Sequence, residues 1–264
     1  MLEIKDVHKT FNPGTINEKK ALNGLNLTLN DGDFVTVIGG NGAGKSTMLN
    51  MIAGVYPVDS GSIIIDGVNV TKLPEHKRAK YLGRVFQDPM MGTAADMWIE
   101  ENMALASRRG QVRGLKWAIN NKEREQFKTM LSELDLGLEN RLSAKVGLLS
   151  GGQRQALTLL MAVMKKPKLL LLDEHTAALD PKTAAKVLEL SNKFISEEHL
   201  TAMMITHNMK DAIAYGNRLI MMNNGQIILD VSGEEKKKLT VEYLLDAFTK
   251  LSGAEFANDR ALLN

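Results

Sequence analysis

Gly39-Gly40-Asn41-Gly42-Ala43-Gly44-Lys45-Ser46-Thr47 stands between two segments of opposite character. Before it, Phe34-Val35-Thr36-Val37-Ile38 reads as a buried strand. After it, Met48-Leu49-Asn50-Met51-Ile52-Ala53 reads as a helix that Gly54 closes. Gly39, Gly44, Lys45 and Ser46 occupy the fixed positions of G-x-x-x-x-G-K-[ST], and strand, glycine loop and helix are the context that pattern needs. Glycines let the backbone curl so that successive N–H groups point at phosphate oxygens, and the helix N-terminus adds positive potential. Lys45 is expected to reach the β- and γ-phosphates of a nucleotide, and the Ser46 hydroxyl to ligate Mg²⁺.

The 264 residues are 44% hydrophobic and 24% charged, enough apolar material for one large domain carrying an inserted lobe. A formal net charge of +2 is too small to make nucleic acid a bulk electrostatic partner. The absence of cysteine excludes disulfides and cysteine-based zinc sites and points to a reducing compartment. The charged, alternating start Met1-Leu2-Glu3-Ile4-Lys5-Asp6 does not read as a signal peptide. No apolar run approaches the roughly 20 residues a membrane span needs. A cytosolic placement is expected, with any membrane role exercised through a partner.

Leu2 to Val7 reads as a strand, with Phe11 before the turn signal Asn12-Pro13-Gly14. Ala21 to Leu29 alternates from Leu25 as a half-buried strand does, and Ser60 to Gly67 reads as another. Lys19 and Lys20 are read as solvated loop residues. Arg84-Val85-Phe86-Gln87-Asp88-Pro89 reads as a strand that stops at the proline. From Met90 to about Leu160 the texture changes to helix formers. Trp98 to Leu105 and Glu123 to Leu134 read as amphipathic helices of a helical lobe, with Met97 and Trp98 starting its core. Arg108, Arg109, Arg113 and Lys116 form a basic cluster read as a solvated face, with anionic lipid as the alternative.

Ser150-Gly151-Gly152-Gln153 then precedes a helix from Ala156 to Met164, where serine before two glycines can cap the helix or face an anion. Lys168-Leu169-Leu170-Leu171-Leu172-Asp173-Glu174 is an apolar strand ending in two carboxylates, as in a parallel sheet buried on both faces. Strand alternation sends Asp173 and Glu174 to opposite sides, which suits two different jobs. Leu179-Asp180-Pro181 starts a helix through Phe194. Ala202-Met203-Met204-Ile205-Thr206-His207 brings a histidine to a strand's C-terminal end, where α/β sheets place ligands. Asn223-Asn224-Gly225 signals a hairpin, and Val241, Leu244, Leu245, Phe248 and Leu251 form the stripe of a last helix before a fraying tail.

Together these pieces resemble the ATP-binding subunit of an ABC transporter over nearly the whole chain. Gly39 to Thr47 matches Walker A, with Asn41, Gly42, Ala43, Gly44, Lys45, Ser46 and Thr47 around the phosphates. Gln87 matches the Q-loop, and Leu149-Ser150-Gly151-Gly152-Gln153 the signature. Leu169 to Asp173 matches Walker B, Glu174 the catalytic glutamate, Ala177-Ala178-Leu179-Asp180 the D-loop and His207 the switch histidine. Phe11 sits where the family stacks an aromatic, more often Tyr, on adenine. His175 departs from the proline common after the glutamate, which leaves open a special contact of that loop. The string Asp173 to Ala184 looks like a bacterial subgroup accompanying permeases similar to branched-chain amino-acid permeases, with a binding lipoprotein. Some of its members are held to import aromatic amino acids.

The resemblance implies an α/β phosphate-loop NTPase fold of the ABC ATPase type. It has a RecA-like core (1–89 and 161–235), an N-terminal antiparallel β layer, an inserted helical subdomain (90–160) and a C-terminal helix and tail (236–264). It implies ATP and Mg²⁺, the metal held by Ser46 with Asp173 and Gln87. Glu174, His207, Lys45 and Gln87 carry hydrolysis, which is mostly positioning and charge neutralisation. Ser150, Gly151, Gly152, Gln153 and Asp180 serve the nucleotide across a head-to-tail pair with a second copy. The implied partners are transmembrane permease subunits and a substrate-binding lipoprotein, with the chain peripheral on the inner face of the membrane. The transported solute is read as small, such as an amino acid. An exporter subunit stays open within that reading. Non-transport ABC ATPases of DNA repair carry a long coiled coil or zinc site, and those of translation two cassettes per chain; neither is present here. The Met-rich Met90, Met91 and Thr93 are the expected permease contact.

Overall fold

The computed structural model describes residues 1–111 and 119–252. Arg113, Lys116, the Leu251 side chain and the tail 253–264 lie outside the described residues. In chain order the elements are β1 (Leu2–Phe11), β2 (Lys19–Leu29), β3 (Phe34–Ile38), α1 (Lys45–Ala53), β4 (Ser60–Ile65), β5 (Val68–Asn69), α2 (Glu75–Arg78) and β6 (Leu82–Val85). They continue with α3 (Ile99–Ser107), α4 (Asn121–Ser132), α5 (Gly151–Val163), β7 (Leu169–Asp173), α6 (Pro181–Glu197), β8 (Ala202–Ile205) and α7 (Met209–Ala214). The last are β9 (Arg218–Asn223), β10 (Gln226–Ser232), α8 (Gly233–Lys237) and α9 (Val241–Ser252). The chain forms two compact units, Met1–Arg78 with His199–Asn264, and Ala79–Glu198.

In the first unit β2, β1, β4 and β5 form an antiparallel sheet in that order. Leu2 pairs with Leu29 on one side and Ile65 on the other, so alternate apolar side chains bury one face. Lys19 and Lys20 begin β2 rather than a loop, although both are exposed. The second sheet of this unit runs β10-β9-β3-β8. β3 is buried along its length and pairs in parallel with β8 and β9, whose own chain returns antiparallel as β10. The hairpin between β9 and β10 turns on Asn224 (φ 45°) and Gly225 (φ 74°), the signs a two-residue primed turn demands. Leu244 and Phe248 of α9 are buried against Met209, Ala212 and Leu219. Arg78, fully buried, donates to Met51 O at 2.7 Å and Ile52 O at 3.0 Å, capping the C-terminal end of α1.

In the second unit β6 and β7 pair in parallel, Leu82 with Leu169 through Val85 with Leu172. β6 ends at Val85 and not at the proline, because the Phe86 carbonyl accepts from the Gln155 side chain at 2.9 Å. α4 starts with a reciprocal cap between Asn120 and Glu123 and buries Phe127 and Leu131. Arg108 and Arg109 are not a solvated face. Arg108 bonds Glu123 at 2.8 Å, while Arg109 donates to Ala162 O at 2.9 Å and burial lowers its pKa. Trp98 does not start a core either: it is exposed just before α3, on a strand-like contact with Lys145. Among the described residues no helix is long and apolar enough to cross a membrane.

Candidate nucleotide-binding and hydrolytic residues

The glycine loop leaves β3 at Gly39, whose φ of 151° and close approach to β9 both need a missing side chain. A β-carbon there would stand 2.3 Å from Met222 O. Gly44 (φ 102°) caps α1 with no side-chain acceptor, and the first turn carries no acidic residue. The N-terminal end of α1 therefore carries neither a side-chain cap nor a carboxylate against its dipole. Lys45 is buried and folds its ammonium onto the loop, donating to Gly39 O at 2.6 Å and Gly40 O at 3.1 Å. Asn41, Gly42 and Ser46 are exposed, while Ala43 is buried. This is a cradle suited to a polyphosphate, with a point charge beside it.

Phe11, half-buried at the end of β1, meets Tyr56 edge-on at 5.3 Å between ring centroids, and Lys9 Nζ stands 5.6 Å from the Phe11 ring. No local signal in the sequence connects Tyr56 to Phe11, or brings Lys19 to the glycine loop, where its Nζ lies 3.0 Å from where a Gly42 β-carbon would be. Register accounts for the latter, since Phe11 pairs with Lys19. His207 is half-buried just after β8, before Asn208 caps α7 by accepting from Lys210 N and Asp211 N.

In the second unit Gln87 is exposed just past β6. Asp173 ends β7 and faces Arg84 of β6 at 3.6 Å, both largely buried. The Arg84 guanidinium also covers the Phe86 ring at 4.5 Å. Arg84 was legible only as a charge inside an apolar strand. Glu174 does not continue β7, so strand alternation does not set its direction. Its φ is 47°, a left-handed backbone that costs a non-glycine residue about 1 kcal/mol or more. The turn after it is closed by Ala177 N donating to Glu174 O at 3.0 Å. His175, 2% exposed, contacts Ser191 Oγ through Nε2 at 2.9 Å. Ser191 spends its own proton on Val187 O at 2.8 Å, so the imidazole donates from Nε2. Burial pushes its pKa down to about 4, leaving it neutral.

Ser150 and Gln153 form a reciprocal cap: Gln153 N donates to Ser150 Oγ at 3.3 Å, and Ser150 N to Gln153 Oε1 at 3.2 Å. The helix therefore starts at Gly151, not at Ala156. Capping uses a lone pair of the exposed hydroxyl and leaves its proton to donate outward. Asp180 caps α6 by accepting from Thr183 N at 3.1 Å, and the Thr183 bonds hold its carboxyl below the usual carboxylate value. The oxygen donors Ser46, Gln87 and Asp173 are of the type Mg²⁺ takes.

A family model described as ABC transporter matches residues 22–177. The tyrosine transport ATP-binding protein of Clostridioides difficile is 46% identical over 253 residues, covering 94% of this chain and 98% of that protein. The xylose/arabinose import ATP-binding protein XylG of Sulfolobus acidocaldarius is 33% identical over 253 residues, 96% of this chain and 95% of the relative. Among solved structures, the dimeric post-hydrolysis state of the ATP-binding cassette MJ0796, bound to ADP and Pi, matches with a TM-score of 0.75 and 30% identity, covering 88% of this chain and 98% of that one. A phosphate loop, Asp173 ending β7 with Glu174 on the corner after it, and a capped Ser-Gly-Gly-Gln helix start, in a chain similar to these proteins over most of its length, identify it as an ATP-binding, ATP-hydrolysing subunit of the ABC transporter family.

Proposed function

We propose that two copies of the chain bind two ATP molecules head to tail and drive a permease that imports a small solute, with an aromatic amino acid as the first candidate. The supporting observation for the site is the phosphate loop, where an uncapped α1 and the inward-folded Lys45 offer an anion both dipole and charge. Lys45 then exchanges loop carbonyls for phosphate oxygens. Ser46, with Asp173 and Gln87 as further oxygen donors, would hold Mg²⁺, which would supply charge neutralisation at the phosphates. Glu174, on its left-handed corner after β7, polarises the attacking water. His207 donates to the γ-phosphate, and Ser150, with the N-terminal N–H groups of α5, caps the nucleotide of the second copy. Phe11, with Tyr56 behind it, stacks on the base.

The substrate class rests on the tyrosine transport relative, matched nearly end to end. The proposed permease contact is Met90, Met91 and Thr93, together with Trp98 and Leu148; of these Met90, Met91, Trp98 and Leu148 are exposed. A binding lipoprotein delivering solute, and a position on the inner membrane face, complete the reading. Glu174→Gln tests it: ATP binding is kept, hydrolysis falls by about 10²–10⁴, and ATP drives dimerisation seen by light scattering. Lys45→Ala loses ATP binding itself. Near-parental hydrolysis in Glu174→Gln would remove that residue from the role of base. With the partner permease in vesicles, uptake of tyrosine supports the substrate class, and uptake of a sugar or polyamine instead overturns it.

A further inference from the structure

Gln155 lies on α5, two residues past the signature glutamine, and its side chain is fully buried. Its Nε2 donates to two backbone carbonyls, Phe86 O at 2.9 Å and His175 O at 2.6 Å. Phe86 immediately precedes Gln87, and His175 immediately follows Glu174. The amide can face these groups in one way only, because turning it over would set its oxygen against two carbonyls. Its Oε1 is buried and accepts no hydrogen bond among the described residues. The side chain is thus oriented wholly by what its NH₂ holds. The His175 imidazole, bonded to Ser191 on α6, secures the same residue from the other side.

We infer that Gln155 is a positioning residue that ties the signature end of α5 to both Gln87 and Glu174 of its own subunit. α5 begins at Gly151 under the Ser150–Gln153 cap, so Gln155 is little more than one helical turn from the groups proposed to meet the second copy's nucleotide. A small shift of that helix start is passed through one rigid amide to the backbone on either side of the hydrolytic residues. Each subunit's Gln87 and Glu174 are then aligned when its own signature has closed on the other nucleotide. This rests on the head-to-tail reading, and supplies it with a reason for the two sites to act together.

Gln155→Met keeps the side-chain volume and removes both donors. The expected result is a kcat lower by about ten- to a hundredfold, since small misplacements far from the chemistry cost that much. KM for ATP should stay within about twofold, and the Hill coefficient for ATP should fall toward 1 from the parental value. Leu131→Ala, a buried change on α4, is the control for loss of stability and should lower the melting temperature without altering the Hill coefficient. Should Gln155→Met not fold, Gln155→Asn keeps an amide one methylene too short to hold both carbonyls, and the same loss is expected. Parental kcat and Hill coefficient in a folded variant, or the same change in Leu131→Ala, overturn the inference. Failure of Glu174→Gln, parental at position 155, to dimerise with ATP overturns instead the head-to-tail reading on which it stands.

Discussion

A β-carbon added to Gly152 would stand 2.0 Å from the Thr183 Cγ2. The first turn of α5 and the first turn of α6 are therefore pressed together at a spot with no room for a methyl group. Signature and D-loop, one preceding each helix, are held by this contact as well as by their own caps. Glycine at position 152 is required by packing before any ligand is considered.

Gly152→Ala should consequently destabilise the protein by about 1–3 kcal/mol, the usual cost of overpacking, and reduce ATPase activity by displacing Ser150. Thr183→Ser removes the offending methyl and should restore much of both in the double variant. Thermal melts and steady-state ATPase of the two single variants and the double form a complete cycle. A Gly152→Ala protein unchanged by Thr183→Ser would show that the contact is not what excludes the methyl.

The buried His175 makes stability depend on pH. Its pKa is about 4 in the folded chain against an ordinary 6.5, so below 6.5 the unfolded chain takes up a proton that the folded chain refuses. Stability is thus complete above pH 6.5 and lost as pH falls through 4, by about 3.5 kcal/mol in all at about 1.4 kcal/mol per unit. His175→Asn should melt with a visibly flatter dependence across that window, and carboxylates common to both proteins cancel in the difference. Parallel curves for the two would mean that the imidazole is not held neutral.

Met90 touches the Arg154 guanidinium through its sulfur, and Arg154 also donates to Gly147 O at 3.0 Å and Leu149 O at 3.2 Å. A glutamate at position 90 gains an ion pair with Arg154, so Met90→Glu, Met91→Glu should fold normally. Its ATPase as an isolated subunit should match the parent, while transport with the permease is abolished, because the exposed apolar surface offered to a membrane partner now carries two charges. Unimpaired transport would place the permease contact elsewhere.

The phosphate loop, the order of the motifs and most element types were legible in the chain because they rest on short-range rules. Gly39 to Ser46 needs only its spacing, β7 only its run of leucines, and α6 only Asp180-Pro181 at its start. Ser150 was visible as a possible helix cap in the same way, whereas its reciprocal partner Gln153 and the helix start at Gly151 came from the structure. Errors at ends followed from side chains that compete with the backbone: β6 stops at Val85 because distant Gln155 takes the next carbonyl, and Glu174 leaves β7 in a left-handed turn.

What tertiary structure alone decided are pairings between residues far apart in sequence. Tyr56 beside Phe11, Arg84 against Asp173, Thr183 against Gly152 and Gln155 between Phe86 and His175 have no local signature. Whether Trp98 is core or surface, and whether Arg108 and Arg109 meet solvent or Glu123 and Ala162 O, also depends on which element packs alongside. A periodicity records that a face is apolar, whereas burial and hydrogen-bond partners are properties of two surfaces at once. The sequence by itself determined which chemistry the chain carries. Packing determined which side chains hold that chemistry in place, because a buried donor takes whichever acceptor the fold brings within about 3 Å.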